Sequence, residues 1–157
     1  MNPSAFAGPL AGLPDPDRDR QFYQGVPSRR LAAWFVDFFV IVAISLVVIP
    51  VFGILTLGFG FFVIPFVFAA VGFVYRVATI TGGSATWGMR LMGIELRRGD
   101  GSRFDLLTAF LHTAIYTICI GVLVLQVVSM GLILITRYQQ GLHDLILGTT
   151  AINSPAD

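Results

Sequence analysis

Arg30 and Asp37 stand seven residues apart at the head of a long apolar run, and no formal charge follows Asp37 until Arg76. A carboxylate at mid-bilayer costs roughly 2.5–3.5 kcal/mol on insertion scales. A chain keeps one there when it has a partner or a task, so two chemistries arise: ion pairing that fastens helices together, or proton and cation handling. Two helical turns put Arg30 and Asp37 on one face, about 10 Å apart along the axis. Helical side chains lean toward the N-terminus, so Arg30 leans away from Asp37 and a direct pair within the helix is not expected. Arg76, Arg90 and His143 are the candidate partners of Asp37. Arg30 is then free for Asp144 or a lipid phosphate, unless it only anchors the helix at the interface.

His143 and Asp144 form a second polar point between apolar residues. Either Asp144 accepts a hydrogen bond from a loop and closes the structure, or the pair joins Asp37 in a proton- or cation-handling cluster. Between these points, Thr108, His112, Tyr116, Cys119 and Gln126 fall within about 80° of arc at 100° per residue. They either hydrogen-bond across helices or line a hydrated path. Ala109, Thr113, Thr117 and Gly121 recur every four residues on a neighbouring face, as in a close helix interface. Cys119 is the sole cysteine, and no Cys/His spacing indicates a zinc site. Walker loops, nucleophile elbows, HExxH and dinucleotide fingerprints are absent. No enzyme activity, cofactor, metal or nucleic-acid partner is expected.

The elements that must position these residues are membrane helices. Of 157 residues, 55% are hydrophobic and 12% charged, against about 25% charged in a soluble domain; mean hydropathy is +0.81. The expected fold is an all-α integral membrane protein with about three transmembrane helices. The first span covers about Arg30–Val51 and the second about Phe59–Thr79, with a kink expected at Pro65. Residues 106–136 carry no charge and form either one tilted helix of about 45 Å or a re-entrant hairpin breaking near Gly121; the choice sets the side of the C-terminus. The polar loop 76–105 holds either a short interfacial helix, with Trp87, Leu91 and Ile94 on one face, or a β-hairpin turning at Arg98-Gly99-Asp100-Gly101. Asp105 is the expected N-cap of the next helix. Residues 1–27, with five prolines, read as a disordered tail, 28–152 as the membrane domain and 153–157 as a C-terminal tail. Four arginines precede the first span, five lie in the 76–105 loop and none in the 50–60 connection, which places the N-terminus and the loop in the cytoplasm.

Three pieces resemble the RDD family of small bacterial membrane proteins: Arg30 with Asp37; Thr86-Trp87-Gly88-Met89-Arg90-Leu91-Met92-Gly93-Ile94 followed by Asp100-Gly101; and Gln140-Gly141-Leu142-His143-Asp144-Leu145-Ile146-Leu147-Gly148-Thr149. The resemblance spans about residues 27–152. It implies Arg30, Asp37 and Asp144 as signature residues, and a bacterial inner-membrane location. It implies no settled activity, although transport is suggested for the family.

Two functions compete. The first is transport of an ion or small solute linked to the buried aspartates, which at this size calls for a homo-oligomer. The second is an accessory or assembly subunit among other membrane proteins, with the charged trio fastening the bundle. In both, the lipid bilayer is the surrounding partner.

Overall fold

The computed structural model describes residues 10–155. Helix α1 runs Val26–Leu55 and carries Pro27 in its first turn, where a missing N–H leaves no bond unmade. Within the apolar run its buried residues are Ala33, Asp37, Ile41, Ser45 and Gly53; the first four recur every fourth residue and so form one seam. Many other apolar residues of α1 face outward, with Phe39 67% and Leu46 72% exposed. A helix in water hides apolar side chains and shows polar ones. Here the seam shelters a carboxylate and a hydroxyl while leucine and phenylalanine lie outside, an arrangement that lipid favours and water does not.

Pro50 lies inside α1, and the helix continues past the expected end near Val51 to Leu55. Pro50 forfeits one backbone bond without stopping the chain. Thr56 closes this end: its hydroxyl donates to Phe52 O at 2.8 Å and accepts from Gly60 N at 2.7 Å. Phe61 packs where Gly53 has no side chain, and an added Cβ there would lie 2.3 Å from its ring. Helix α2 spans Ile64–Thr81 with Pro65 in its first turn. The kink expected at Pro65 is therefore corrected: the residue starts the helix and interrupts nothing. Gly72 of α2 packs against Ile41 of α1.

Helix α3 is one short turn, Trp87–Leu91, followed by strand β1, Ile94–Arg98. Ile94 is fully buried while Trp87 and Leu91 are exposed, so the three do not share one face. The Arg98–Gly101 turn forms, with Gly101 N donating to Arg98 O at 2.8 Å, but no hairpin follows. Asp105 caps the next helix through Thr108 N at 2.7 Å, which leaves too short a segment for a returning strand. The partner of β1 is β2, Thr149–Asn153, antiparallel with Ile94 opposite Asn153 and Arg98 opposite Thr149.

Between these strands lie α4, Leu106–Gly121, and α5, Leu123–Ile135, bent by 117° at the break, then α6, Leu142–Leu147. α1 packs on α2 and α3, α2 on α4, and α4 on α5 and α6. Arg20–Leu55 and Phe59–Thr81 are each long and apolar enough to cross a membrane, and α4 with α5 would count as a third if taken together. A buried apolar cluster lies at the polar end, where Val26, Ile80, Ile94, Leu96, Phe104 and Ala151 meet.

Residues 10–25, expected within a disordered tail, form a strap across this end. Tyr23 is buried, donates to Pro14 O at 2.9 Å and meets the Tyr138 ring edge-on at 5.9 Å. Arg137 pairs with Asp15 and Asp17, and Gly12 N donates to Gly99 O. The first nine residues of that expected tail lie outside the described residues, as do 156–157.

Candidate functional site: two aspartates on one cavity

Asp37 is 1% exposed, and the seam of α1 aims it at the joint between α2 and α3. Tyr75 Oη and Thr86 Oγ1 each donate to it at 2.7 Å, and Gly88 N donates at 2.9 Å. Arg76 lies 3.8 Å away, on the Thr86-bound oxygen. Thr86 is also the N-cap of α3, accepting from Met89 N at 3.2 Å, so one hydroxyl starts the helix and holds the carboxylate. Gly88 makes the approach possible: an added Cβ would sit 2.3 Å from Ala33 O and 2.8 Å from Asp37 Oδ1. The loop therefore reaches Asp37 through a hydroxyl and an amide rather than through Arg90. Arg90 donates to Thr79 O at 3.1 Å beside Gly83 and is corrected as a partner. His143, the third candidate, belongs to the other aspartate.

Asp144 is fully buried in the first turn of α6. Arg30 donates to Oδ2 at 2.5 Å and to Gln139 O at 3.0 Å. Gly141 N donates to the same Oδ2 at 3.1 Å. Oδ1 lies 3.0 Å from His112 Nε2 and accepts from Thr149 Oγ1 at 3.2 Å. Burial alone would raise the Asp144 carboxyl, but the Arg30 guanidinium and the His112 hydrogen bond outweigh it and hold the group well below the usual carboxylate range. Burial drives the neighbouring His143 imidazole down to about 3 despite the aspartate beside it, so its ring is neutral at pH 7.

Aromatic and cationic groups bridge the two centres. The Arg76 guanidinium stacks 4.5 Å over the Tyr116 ring. Tyr116 meets His143 edge-on at 5.5 Å, and His143 meets His112 at 4.7 Å. These groups line a cavity of about 820 Å³ walled by residues of α1, α2, α4 and α5. Of the expected residues, Arg30, Asp37, Arg76, His112, Tyr116, Gln126 and His143 line it, and Asp144 lies directly behind. Gln126 arrives by another route than the expected stripe: the helical phase is lost at Val122, and α5 brings the residue back to the same space.

Sequence reasoning missed Tyr75, Thr86 and Gly88 as the shell of Asp37. Tyr75 carried a legible signal, a phenol in an apolar helix beside an arginine. Thr86 and Gly88 stand in the second family-like motif, but nothing there ties them to Asp37, since their contacts to it cross 49 and 51 residues of chain.

The family model of the RDD family matches residues 25–148, from the head of α1 to the end of α6, with Arg30, Asp37 and Asp144 inside the match. No curated protein and no solved structure matches the chain. With most of its length covered by that family model, the chain belongs to the RDD family.

Proposed function

We propose that this is a non-enzymatic, multi-pass protein of the bacterial inner membrane that binds an ion or small solute in the cavity and passes it across the bilayer. The cavity carries the reading. A space of about 820 Å³ is within the range of ligand sites, which are mostly apolar with a few convergent polar groups. In this reading Asp37 and Asp144 fasten the walls, and the cavity-facing Arg76, His112, Tyr116, Gln126 and His143 meet the solute.

The 117° bend between α4 and α5 and the pairing of β1 with β2 support a re-entrant hairpin whose two ends share one membrane face. The arginine distribution supports a cytoplasmic N-terminus and 76–105 loop. In this reading β2, paired with β1, lies on the cytoplasmic side as well. A homo-oligomer would, in the same reading, complete the path.

Liposomes bearing the purified protein test the reading under imposed Na⁺, K⁺ and H⁺ gradients. Flux above protein-free liposomes is expected, falling in Gln126→Trp, which narrows the cavity, while the melting temperature holds. Flux no greater than that of protein-free liposomes, or full flux in Gln126→Trp, would overturn it.

A second reading is favoured by one observation: both aspartates are fully partnered. This suits an accessory subunit in which they only hold the bundle. Purification in mild detergent that yields self-assembled chains with no co-purifying protein would count against that reading.

A further inference from the structure

His112, His143 and Asp144 come from two elements, α4 and α6, and each is buried. One ligand-capable atom from each lies within 4.8 Å of the others. His112 Nε2 stands 3.0 Å from Asp144 Oδ1, and His143 Nε2 stands 3.7 Å from Asp144 Oδ2. Ligands across a tetrahedral ion with bonds of about 2.0–2.1 Å lie about 3.3 Å apart, so the His112 separation is already within a few tenths of an ångström of that, and the others, all within 4.8 Å, must close by up to about 1.5 Å.

A hydrogen-bonded knot would explain His112, which has Asp144 as partner. It does not explain His143. Its Nδ1 is buried with no hydrogen-bond partner among the described residues, and its Nε2 is too far from Asp144 for a hydrogen bond. The side chain is 7% exposed and borders the cavity. A buried imidazole without a polar partner is costly, and coordinating a cation through Nε2 would offset part of that cost. Thr113, next to His112, also has a buried hydroxyl without a partner on the same wall.

Arg30 is the opposing feature, because it already neutralises Asp144. Its guanidinium and Gly141 N hold Oδ2, however, while Oδ1 turns toward His112 and the Thr149 hydroxyl. One carboxylate oxygen can thus face a cation while the other is held in place by outer partners, as orienting shells do around metal ligands. We propose that His112, His143 and Asp144 bind one divalent transition-metal ion of the Zn²⁺ class, with its remaining coordination position open to the cavity. Two imidazoles and one carboxylate suit Zn²⁺, Co²⁺ or Ni²⁺ and disfavour Mg²⁺ or Ca²⁺. The site stands on these side chains alone and holds whether or not the cavity passes a solute.

The test is CoCl₂ titration of the full-length, tag-free protein in detergent, followed by visible absorption. Expected are one Co²⁺ per chain with d–d bands of low coordination number, displaced by ZnCl₂ and not by millimolar MgCl₂. His112→Gln and His143→Gln should each weaken binding at least about 100-fold, the upper end of what losing even an orienting partner costs, with the metal-free melting temperature as the folding control. If a variant fails to fold, X-ray absorption of the wild-type Zn²⁺ form decides instead: two imidazoles per ion are expected. Absence of stoichiometric binding, binding retained in both variants, or a spectrum without imidazole overturns the proposal. Proteoliposome flux is scored separately, so loss of transport with Co²⁺ still bound sinks the proposed function alone.

Discussion

Asp37 and Asp144 meet the same problem with different partners. Asp37 accepts from a phenol, a hydroxyl and an amide, and its arginine stands off at 3.8 Å. Asp144 takes its arginine at 2.5 Å. Removing one member of a buried charged pair leaves the other uncompensated and costs about 3–5 kcal/mol. Arg30→Ala and Asp144→Ala are each expected to destabilise by that order, with a coupling of about 0.5–3 kcal/mol between them. Asp37 should couple comparably to Thr86. Asp37 and Arg90 share no partner, and their effects should add within about 0.5 kcal/mol. Denaturant unfolding in detergent micelles, run as double-mutant cycles, measures all three pairs. Coupling between Asp37 and Arg90 as large as that of Arg30 with Asp144 would contradict the assignment.

Among the elements, the strap of residues 10–25 is held by groups that titrate. The backbone amide of Asp17 is the main cause that lowers the Asp15 carboxyl below its ordinary 3.8; desolvation opposes it, and the Arg18 amide and the Arg137 charge add to the lowering. A carboxyl whose folded pKa is depressed stabilises fully above its unfolded value, and the contribution is lost as pH falls through the folded one. The strap should therefore hold at neutral pH and loosen as pH drops below about 4. Hydrogen-exchange protection factors, corrected for the intrinsic rate at each pH, are expected to fall at residues 15–24 in that window while α1 beyond Ala33 stays protected. Asp15→Asn should weaken the pH dependence of this step, with the Asp17–Arg137 pair retaining part of it. Equal protection factors at pH 7 and pH 3 would contradict it. The strap was the element least legible in the sequence. Its prolines and mixed charges are the composition of a tail, and the contacts that order it include the Tyr138 ring, the charge of Arg137 and the Asn153 amide on Gln21 O and Gln24 O, all more than a hundred residues away.

At the scale of the molecule, the strand pairing makes the strongest statement. β1 and β2 flank a hairpin of two apolar helices, so the chain that enters at Leu106 returns to the same end by Thr149. Ser154, exposed just past β2, should therefore share a side with the 76–105 loop, and Leu57, 91% exposed in the α1–α2 turn, should lie on the other. In a Cys119→Ala background, Ser154→Cys should react with an impermeant maleimide only in inverted vesicles, and Leu57→Cys only in right-side-out ones. Labelling of both from the same side would refute the re-entrant arrangement.

The sequence by itself determined what local chemistry dictates. Its apolar fraction calls for lipid, its family is legible in three short motifs, and buried charges at 37 and 144 demand partners. Asp105 could be read as a helix cap because its contact is three residues long. The tertiary structure decided everything that depends on contacts across the chain. Arg30 meets Asp144 over 114 residues, Thr86 meets Asp37 over 49, and His112 meets Asp144 over 32. It also decided between the two forms that the sequence left open for residues 106–136, bending the chain by 117° after Gly121. The physical reason is the same throughout: hydropathy sums over neighbours in sequence, whereas a partner for a buried charge is chosen by neighbours in space.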